Sequence, residues 1–420
     1  MPTTSDNNRS TFLNIILFAA FGYFVDMYGI LLPMMLPIES FKPFGDPEVV
    51  KNTLMLWQMG GIILGGFVWG IIGDLYGRIN ALFYAVLFYM IGSIWCSFIN
   101  DDLEMYKLAR FVMGIGLAGE LGAITTLACE ILPTRRRAEG IAVITGVGFL
   151  GGLFAYFITH NTLFTEGSSD DIWHNAYKYG GIMGFSIAFL RFFLKESPLY
   201  IQLKPSQKSF KNLFRVWGNR RTLILYLCAL LIGLPIWFRI GILVGEIPKL
   251  SELLKISDTT HLLKPDFVAF CMYSGVVLGN FACPILSDFW KSRKNATLVF
   301  LTISCLSVVW LLLGQGATAE MVLFKFFVMG IGTGYWGTFV MMSAEVFGTN
   351  VRCAVTTTTP NLIRGSLIPM LYIVHHVASE RFLECVDWLA AVCFAVAFIA
   401  WWFMEETYGR DLDFVETFEK

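Results

Sequence analysis

Arg110-Phe-Val-Met-Gly-Ile-Gly116 returns far along the chain as Phe326-Phe-Val-Met-Gly-Ile-Gly332. Each copy leads to a glutamate followed seven residues later by an arginine: Glu130 and Arg137 in the first half, Glu345 and Arg352 in the second. Ahead of the two runs, Asp74 and Asp288 stand at matched places. A chain that repeats itself in this way encodes one structural unit twice, and composition says what the unit is made of. Of 420 residues, 56% are hydrophobic, 15% aromatic and only 15% charged, and the mean hydropathy is +0.62. Soluble domains carry about 25% charged residues, so a cytosolic enzyme, a nucleic-acid binder and a secreted disulfide scaffold all fit poorly. The net charge of −1 does not alter that. The nine cysteines are scattered singly, without a CxxC or a zinc-type spacing, and read as small buried hydrophobes. The apolar segment behind the polar first ten residues is too long for a removable signal peptide and lacks a small-residue cleavage site.

About 20 apolar residues cross a bilayer core. On that measure twelve spans are expected, near 12–36, 54–73, 79–99, 105–131, 138–160, 177–194, 222–245, 266–286, 296–314, 320–346, 354–377 and 385–404. Between the sixth and seventh, residues 195–221 hold Lys195, Lys204, Lys208, Lys211, Arg215, Arg220 and Arg221 and read as a cytoplasmic linker. The expected organisation is therefore a six-helix bundle over 1–194, the linker, and a second bundle with a short tail over 222–420. Cytoplasmic loops carry the excess of Lys and Arg. Placing both termini in the cytoplasm puts 18 of the 31 basic residues there, from Arg9 to Lys420, against eight on the other face, with five inside or at the ends of spans. The fold expected is all-α: twelve transmembrane helices in two pseudo-symmetric six-helix bundles related by an axis along the membrane normal. Proteins so built are two-bundle transporters with the substrate at the midplane.

At these residues the chain resembles the major facilitator superfamily over nearly its whole length. Gly70-x-x-x-Asp74-x-x-Gly77-Arg78 is similar to the family's loop 2–3 signature, although Ile79 and Asn80 replace its second basic pair. Its second copy keeps Asp288 and Arg293, with Pro284 and Lys291 at the glycine positions. Phe24-Val-Asp26-Met-Tyr28-Gly, and Gly119-Glu120-Leu-Gly followed by Glu130-Ile-Leu-Pro133-Thr-Arg-Arg-Arg137, resemble the metabolite:proton and aromatic-acid or phosphate:proton symporters. Glu196-Ser-Pro198 and Glu406-Thr-Tyr-Gly-Arg410 resemble marks of the sugar-porter and organic-ion branches. The resemblance implies alternating access with a latch of charges at the cytoplasmic ends: Asp74, Gly77, Arg78, Glu130 and Arg137 in one half, Asp288, Arg293, Glu345 and Arg352 in the other. Opposite charges there pair across the bundles only while that face is closed. Snorkelling interface charges are the plainer reading, but topology needs basic residues and not matched acids.

Ionisable groups at membrane depth are costly and usually mark a substrate or proton path. Asp26 lies near mid-span in the first span, and Glu120 ten residues before the cytoplasmic Glu130, about 15 Å at 1.5 Å per residue. Asp26 is the expected proton carrier with Glu120 as its partner; the alternative is a structural carboxylate that never titrates. Arg239, Arg364 and, nearer the outer surface, Arg110 are candidate anion-binding groups, because a guanidinium matches a carboxylate in two places. Structural pairs explain two of them as well: Arg239 with Glu246, two α-turns on, and Arg110 with an acid in the first span. Gln58, Tyr335, Trp336 and Asn361 would complete the site. Gly114-x-Gly116-x-x-Gly119 lies inside an apolar helix and reads as helix packing rather than a dinucleotide turn. His375-His376 lacks partners spaced to bind a metal, and no metal site, cofactor or nucleic-acid partner is expected; the coupling ion would be a proton. The expectation is a monomeric, non-enzymatic, proton-coupled importer of an anionic, carboxylate-bearing metabolite in the lipid bilayer of a bacterial inner membrane. An exporter working by proton antiport, an uncoupled uniporter and, more remotely, a non-transporting sensor remain alternatives.

Overall fold

A computed structural model describes residues 4–160, 169–257, 262–377 and 381–417; Lys420, counted above, lies outside them. Its helices in chain order are α1 (Thr4–Met35), α2 (Pro47–Tyr76), α3 (Arg78–Cys96), α4 (Leu103–Leu117), α5 (Glu120–Ile131), α6 (Arg137–His160), α7 (Ser169–Arg191), α8 (Pro198–Gln202) and α9 (Lys211–Gly218). They continue as α10 (Arg220–Trp237), α11 (Ile247–Leu253), α12 (Pro265–Phe289), α13 (Arg293–Leu312), α14 (Ala319–Gly332), α15 (Tyr335–Val346), α16 (Arg352–Gly365), α17 (Leu367–Tyr372) and α18 (Phe382–Phe403). Their starts carry recognisable signals. Asp46 and Asp102 accept backbone N–H groups at the heads of α2 and α4, and Ser292 and Thr318 do the same for α13 and α14. Pro47 and Pro265 occupy first-turn positions where a missing N–H costs nothing.

Nine helical stretches among the described residues are long and apolar enough to cross a bilayer. The sixth, tenth and eleventh expected spans are α7, α14 with α15, and α16 with α17. The last two are interrupted, and α16 carries Thr356 to Thr359, Pro360 and Arg364. Helix ends move by several residues: α1 starts at Thr4 rather than near 12, and α2 at Pro47 rather than near 54. The stretch read as a linker holds the short helices α8 and α9.

In the first half α1 packs on α6, α2 and α3 on α4, and α3 on α7; in the second α12 and α13 pack on α14, and α10 on α18. The halves meet through α6 against α12 and α2 against α16. The repeated run explains the likeness. A side chain at Gly114 would run into the Gln58 carbonyl of α2 and one at Gly116 into the Tyr89 backbone of α3. At the matching places, Gly330 faces the Met272 carbonyl of α12 and Gly332 the Ser304 backbone of α13. Each copy lets one span lie against two neighbours at backbone distance. Gly114→Val should therefore destabilise the protein by about 1–3 kcal/mol, the usual penalty for overpacking. An unchanged melting temperature of the purified variant in detergent would contradict this packing.

Candidate functional site

Asp26 of α1 and Arg364 of α16 face each other between the bundles, with Asp26 Oδ2 3.7 Å from Arg364 Nη2. They are 4% and 0% exposed. The separation lets the charges attract but is too long for a hydrogen bond, and both Asp26 oxygens and the Nε and Nη2 of Arg364 have no hydrogen-bond partner among the described residues. The rest of the guanidinium is held in place. Arg364 Nη1 donates to Asn361 Oδ1 at 2.9 Å, and the group lies 5.7 Å over the Trp336 ring. Trp336 in turn donates from Nε1 to Tyr23 Oη at 2.9 Å. Because Tyr23 and Asp26 share a face of α1, three residues apart, the first span presents a hydroxyl and a carboxylate together to the opposite bundle.

The fourth span is not one helix, as its hydropathy suggested, but breaks between Leu117 and Glu120. Membrane-buried backbone must find partners within the protein. Asn361 Nδ2 supplies one from the other bundle, donating to the Ala118 carbonyl at 2.7 Å. The break leaves Glu120 in the first turn of α5, where a helix N-terminus favours negative charge, and its carboxylate pairs with Arg191 of α7. Asp26, Tyr89 and Glu120 line one cavity of about 10 Å³, the size of a single water. Gln58 is fully buried and donates from Nε2 to the Ile30 carbonyl at 3.4 Å, leaving its Oε1 without a partner among the described residues.

The other basic candidates lie elsewhere. Arg110 donates from Nη1 to Tyr177 Oη at 3.0 Å inside the first bundle, not to an acid of α1. Arg239 donates to the Pro235 and Met329 carbonyls inside the second bundle. The alternative pair with Glu246 does not form because Phe238–Val244 winds as a π-helix behind Pro235; with bonds from i to i+5, residues seven apart no longer share a face. Glu246 Oε1 meets His375 Nε2 instead, at 3.0 Å. Tyr335 donates to the Ile232 carbonyl at 3.1 Å, so it braces the seventh span while its neighbour Trp336 reaches the interface.

At the expected cytoplasmic ends the charges form a crossed arrangement. Glu130 Oε1 accepts from Arg78 Nη2 of its own bundle at 3.0 Å and from Arg352 Nη1 of the other at 2.7 Å. Glu345 Oε1 accepts from Arg137 Nη1 of the opposite bundle at 2.8 Å, with Arg293 of its own bundle 3.8 Å from Oε2. Asp74 lies 3.5 Å from Arg78 and accepts the Cys353 and Ala354 N–H groups at the head of α16. Asp288 pairs with Arg293 at 2.5 Å. Gly77 adopts φ 109°, a conformation that favours glycine, and lets the chain turn against Glu196. Glu196 accepts the Ile79 N–H at 3.2 Å, and its counterpart Glu406 accepts from Ser292 Oγ at 2.5 Å and Arg293 N at 2.9 Å. Each acid thus braces the equivalent loop of its own half.

Burial alone would raise the Glu406 carboxyl, but hydrogen bonds from Ser292 and from the Tyr408, Arg293 and Thr407 backbone outweigh it and hold the carboxyl below the usual glutamate range. A depressed carboxyl stabilises the fold above its unfolded value of about 4.3 and loses that contribution as pH falls through the folded value. Wild type should therefore lose melting temperature on acidification through this window relative to Glu406→Gln; parallel pH profiles for the two would refute the brace.

Tyr23, Tyr89 and Arg191 escaped sequence reading. Tyr23 carries a usable signal, its spacing from Asp26; Arg191 stands at the end of an apolar run, where a basic residue is ordinary, and nothing local points Tyr89 toward Asp26. No group of three or more His, Cys, Asp or Glu side chains among the described residues is gathered as metal ligands would be.

The sequence model of the Major Facilitator Superfamily matches residues 15–358. A putative metabolite transport protein of Haemophilus influenzae is 27% identical over 202 residues, 47% of this chain and 48% of that protein, so the chain spans about half the length of this relative. The niacin transporter NiaP of Acinetobacter baylyi is 23% identical over 392 residues, 84% of each. Among solved structures, the proton:xylose symporter XylE of E. coli bound to 6-bromo-6-deoxy-D-glucose aligns with TM-score 0.72 at 16% identity, covering 97% of this chain and 98% of that one.

Proposed function

Since the chain belongs to the Major Facilitator Superfamily and is an integral, multi-pass membrane protein, we propose that it is a proton-coupled symporter importing an anionic, carboxylate-bearing metabolite by alternating access. The observation that carries the reading is the buried, unbonded pair of Asp26 and Arg364 across the bundle interface. Protonation of Asp26 removes its charge and its hold on Arg364. The free Nε and Nη2 edge of the guanidinium then takes the substrate carboxylate in two hydrogen bonds, the geometry an arginine fork favours. Proton and anion together neutralise the midplane, so the loaded site can pass through the occluded state without a bare charge. On the cytoplasmic side Asp26 gives up its proton and attracts Arg364 again, which expels the anion.

The rocking bodies are residues 1–194 and 222–420, joined by 195–221. Glu130–Arg352 and Arg137–Glu345 are the cytoplasmic latch that must part, and Glu120, clamped by Arg191, sets the field around the shared cavity. The niacin relative supports a carboxylate substrate, and the basic linker supports cytoplasmic termini in a bacterial inner membrane. The protein acts as a monomer and needs no cofactor beyond the coupling proton. Uptake of a pooled library of labelled organic acids, amino acids and sugars into proteoliposomes, with and without an inward proton gradient, tests this. Accumulation should need the gradient and vanish in Asp26→Asn. Gradient-independent flux that survives in Asp26→Asn would make the protein a uniporter and Asp26 a structural acid.

A further inference from the structure

The expected outer ends of the bundles enclose a vestibule of about 670 Å³. The first bundle lines it with Glu39, Glu48, Lys51 and His160; the second with Glu246, Lys249, Lys264, Asp266 and His375. Several of these groups settle inside their own half: Glu246 against His375, and the Lys249 ammonium 4.3 Å over the Phe382 ring. Among the described residues one contact spans the mouth, with His160 Nε2 2.9 Å from Asp266 Oδ2.

The imidazole of His160 is held by its surroundings. Its ring stacks on Tyr156 at 4.0 Å, and Tyr156 packs tilted against Phe270 of the other bundle, with ring centroids 4.6 Å apart. His160 Nδ1 lies 3.1 Å from the Tyr156 carbonyl and 2.9 Å from Thr159 Oγ1. The Thr159 hydroxyl has one proton and already faces the Met35, Ala155 and Tyr156 carbonyls. Nδ1 accepts the Thr159 proton or donates to the Tyr156 carbonyl according to the tautomer, while Nε2 faces the Asp266 carboxylate. A neutral imidazole has a single N–H to divide between the two contacts, whereas an imidazolium donates at both nitrogens and carries the charge opposite to Asp266. Lys51, 7% exposed, stands beside this pair among the charges of Asp266, Glu48 and Glu246.

We infer that His160 and Asp266, with Lys51 beside them, form an outer gate, the counterpart of the cytoplasmic Arg–Glu cluster. The inference rests on the alternating-access reading. The two gates differ in chemistry. The inner one is built from arginine, always charged; the outer one closes through a histidine, the side chain that ordinarily changes charge between pH 5 and 8. Acid on the outer face thus tightens the outer closure at the same time as it supplies the coupling proton. The same arrangement places Lys51 to reach Asp266 and Glu246 as the vestibule collapses.

The test needs neither substrate nor proton gradient, so it stands apart from the uptake experiment. Asn52 lines the vestibule, and Asn52→Cys reports its opening through the rate of labelling by a membrane-impermeant thiol reagent. Comparing gate variants at one pH cancels the chemistry of the thiol. Adding Asp266→Asn should speed labelling roughly three- to fivefold at pH 5.5, as expected for losing a partly exposed pair, and hardly at all at pH 8.5. His160→Lys, a permanent cation, should stay slow at both pH values, and the exchange His160→Asp with Asp266→His should restore slow labelling at pH 5.5. Equal rates with and without Asp266→Asn at pH 5.5, or a His160→Lys variant that still opens at pH 8.5, would overturn the gate.

Discussion

Glu130→Gln is expected to remove about 3–5 kcal/mol from the cytoplasmically closed state, the usual consequence of breaking a buried ion pair from one side. Glutamine keeps the shape of the acid but leaves Arg78 and Arg352, both fully buried, without their shared negative partner. Opening the cytoplasmic face returns Arg352 to water, so the loss falls on the closed state, and the equilibrium should move toward inward-open by a hundredfold or more at about 1.4 kcal/mol per decade. Spin labels at Arg135 and Lys291, on loops of opposite bundles, read this as growth of a longer-distance population and a matching drop in substrate accumulation. Glu345→Gln should behave alike, because it strands Arg137 across the interface and Arg293 beneath it. If the distance distribution of Glu130→Gln matches wild type, the crossed charges are static anchors rather than a latch.

Arg364→Gln should weaken binding of the carboxylate identified by uptake by about 30-fold or more, since truncating one side of a desolvated, hydrogen-bonded charge pair costs about 2–5 kcal/mol. The neutral amide of the same compound should bind wild type and variant about equally, which isolates the contribution of the charge. Arg239→Gln and Arg110→Gln should lower the melting temperature yet leave the carboxylate-to-amide preference intact. Their guanidinium contacts stay within single bundles, on the Pro235 and Met329 carbonyls and on Tyr177. Calorimetric titration of the four proteins with acid and amide decides between them. A preference lost in Arg239→Gln and kept in Arg364→Gln would move the anion site into the second bundle.

Much of this architecture was legible before any coordinate. Apolar runs of bilayer length depend only on local composition, and the duplicated Met-Gly-Ile-Gly with its trailing glutamate and arginine announced two copies of one unit. The crossed Arg–Glu cluster was readable for the same reason: its spacing recurs in both halves. Asp26 and Glu120 could be picked out because each is a carboxylate inside an apolar run.

Hydropathy could not show that the fourth and tenth spans break at Ala118–Gly119 and Thr333–Gly334, because an interrupted helix is as apolar as a whole one. Helical periodicity failed at Arg239 once Pro235 and a π-turn changed the residues per turn. Above all, Tyr23 with Trp336, Asp26 with Arg364, Ala118 with Asn361, and His160 with Asp266 are partners from opposite halves of the chain. Apolar runs and duplicated spacing are properties of a residue and its near neighbours, and these the sequence alone determined. Which charges meet depends on how two separately folded faces dock, at separations where no periodicity carries information, and that only the tertiary structure decided.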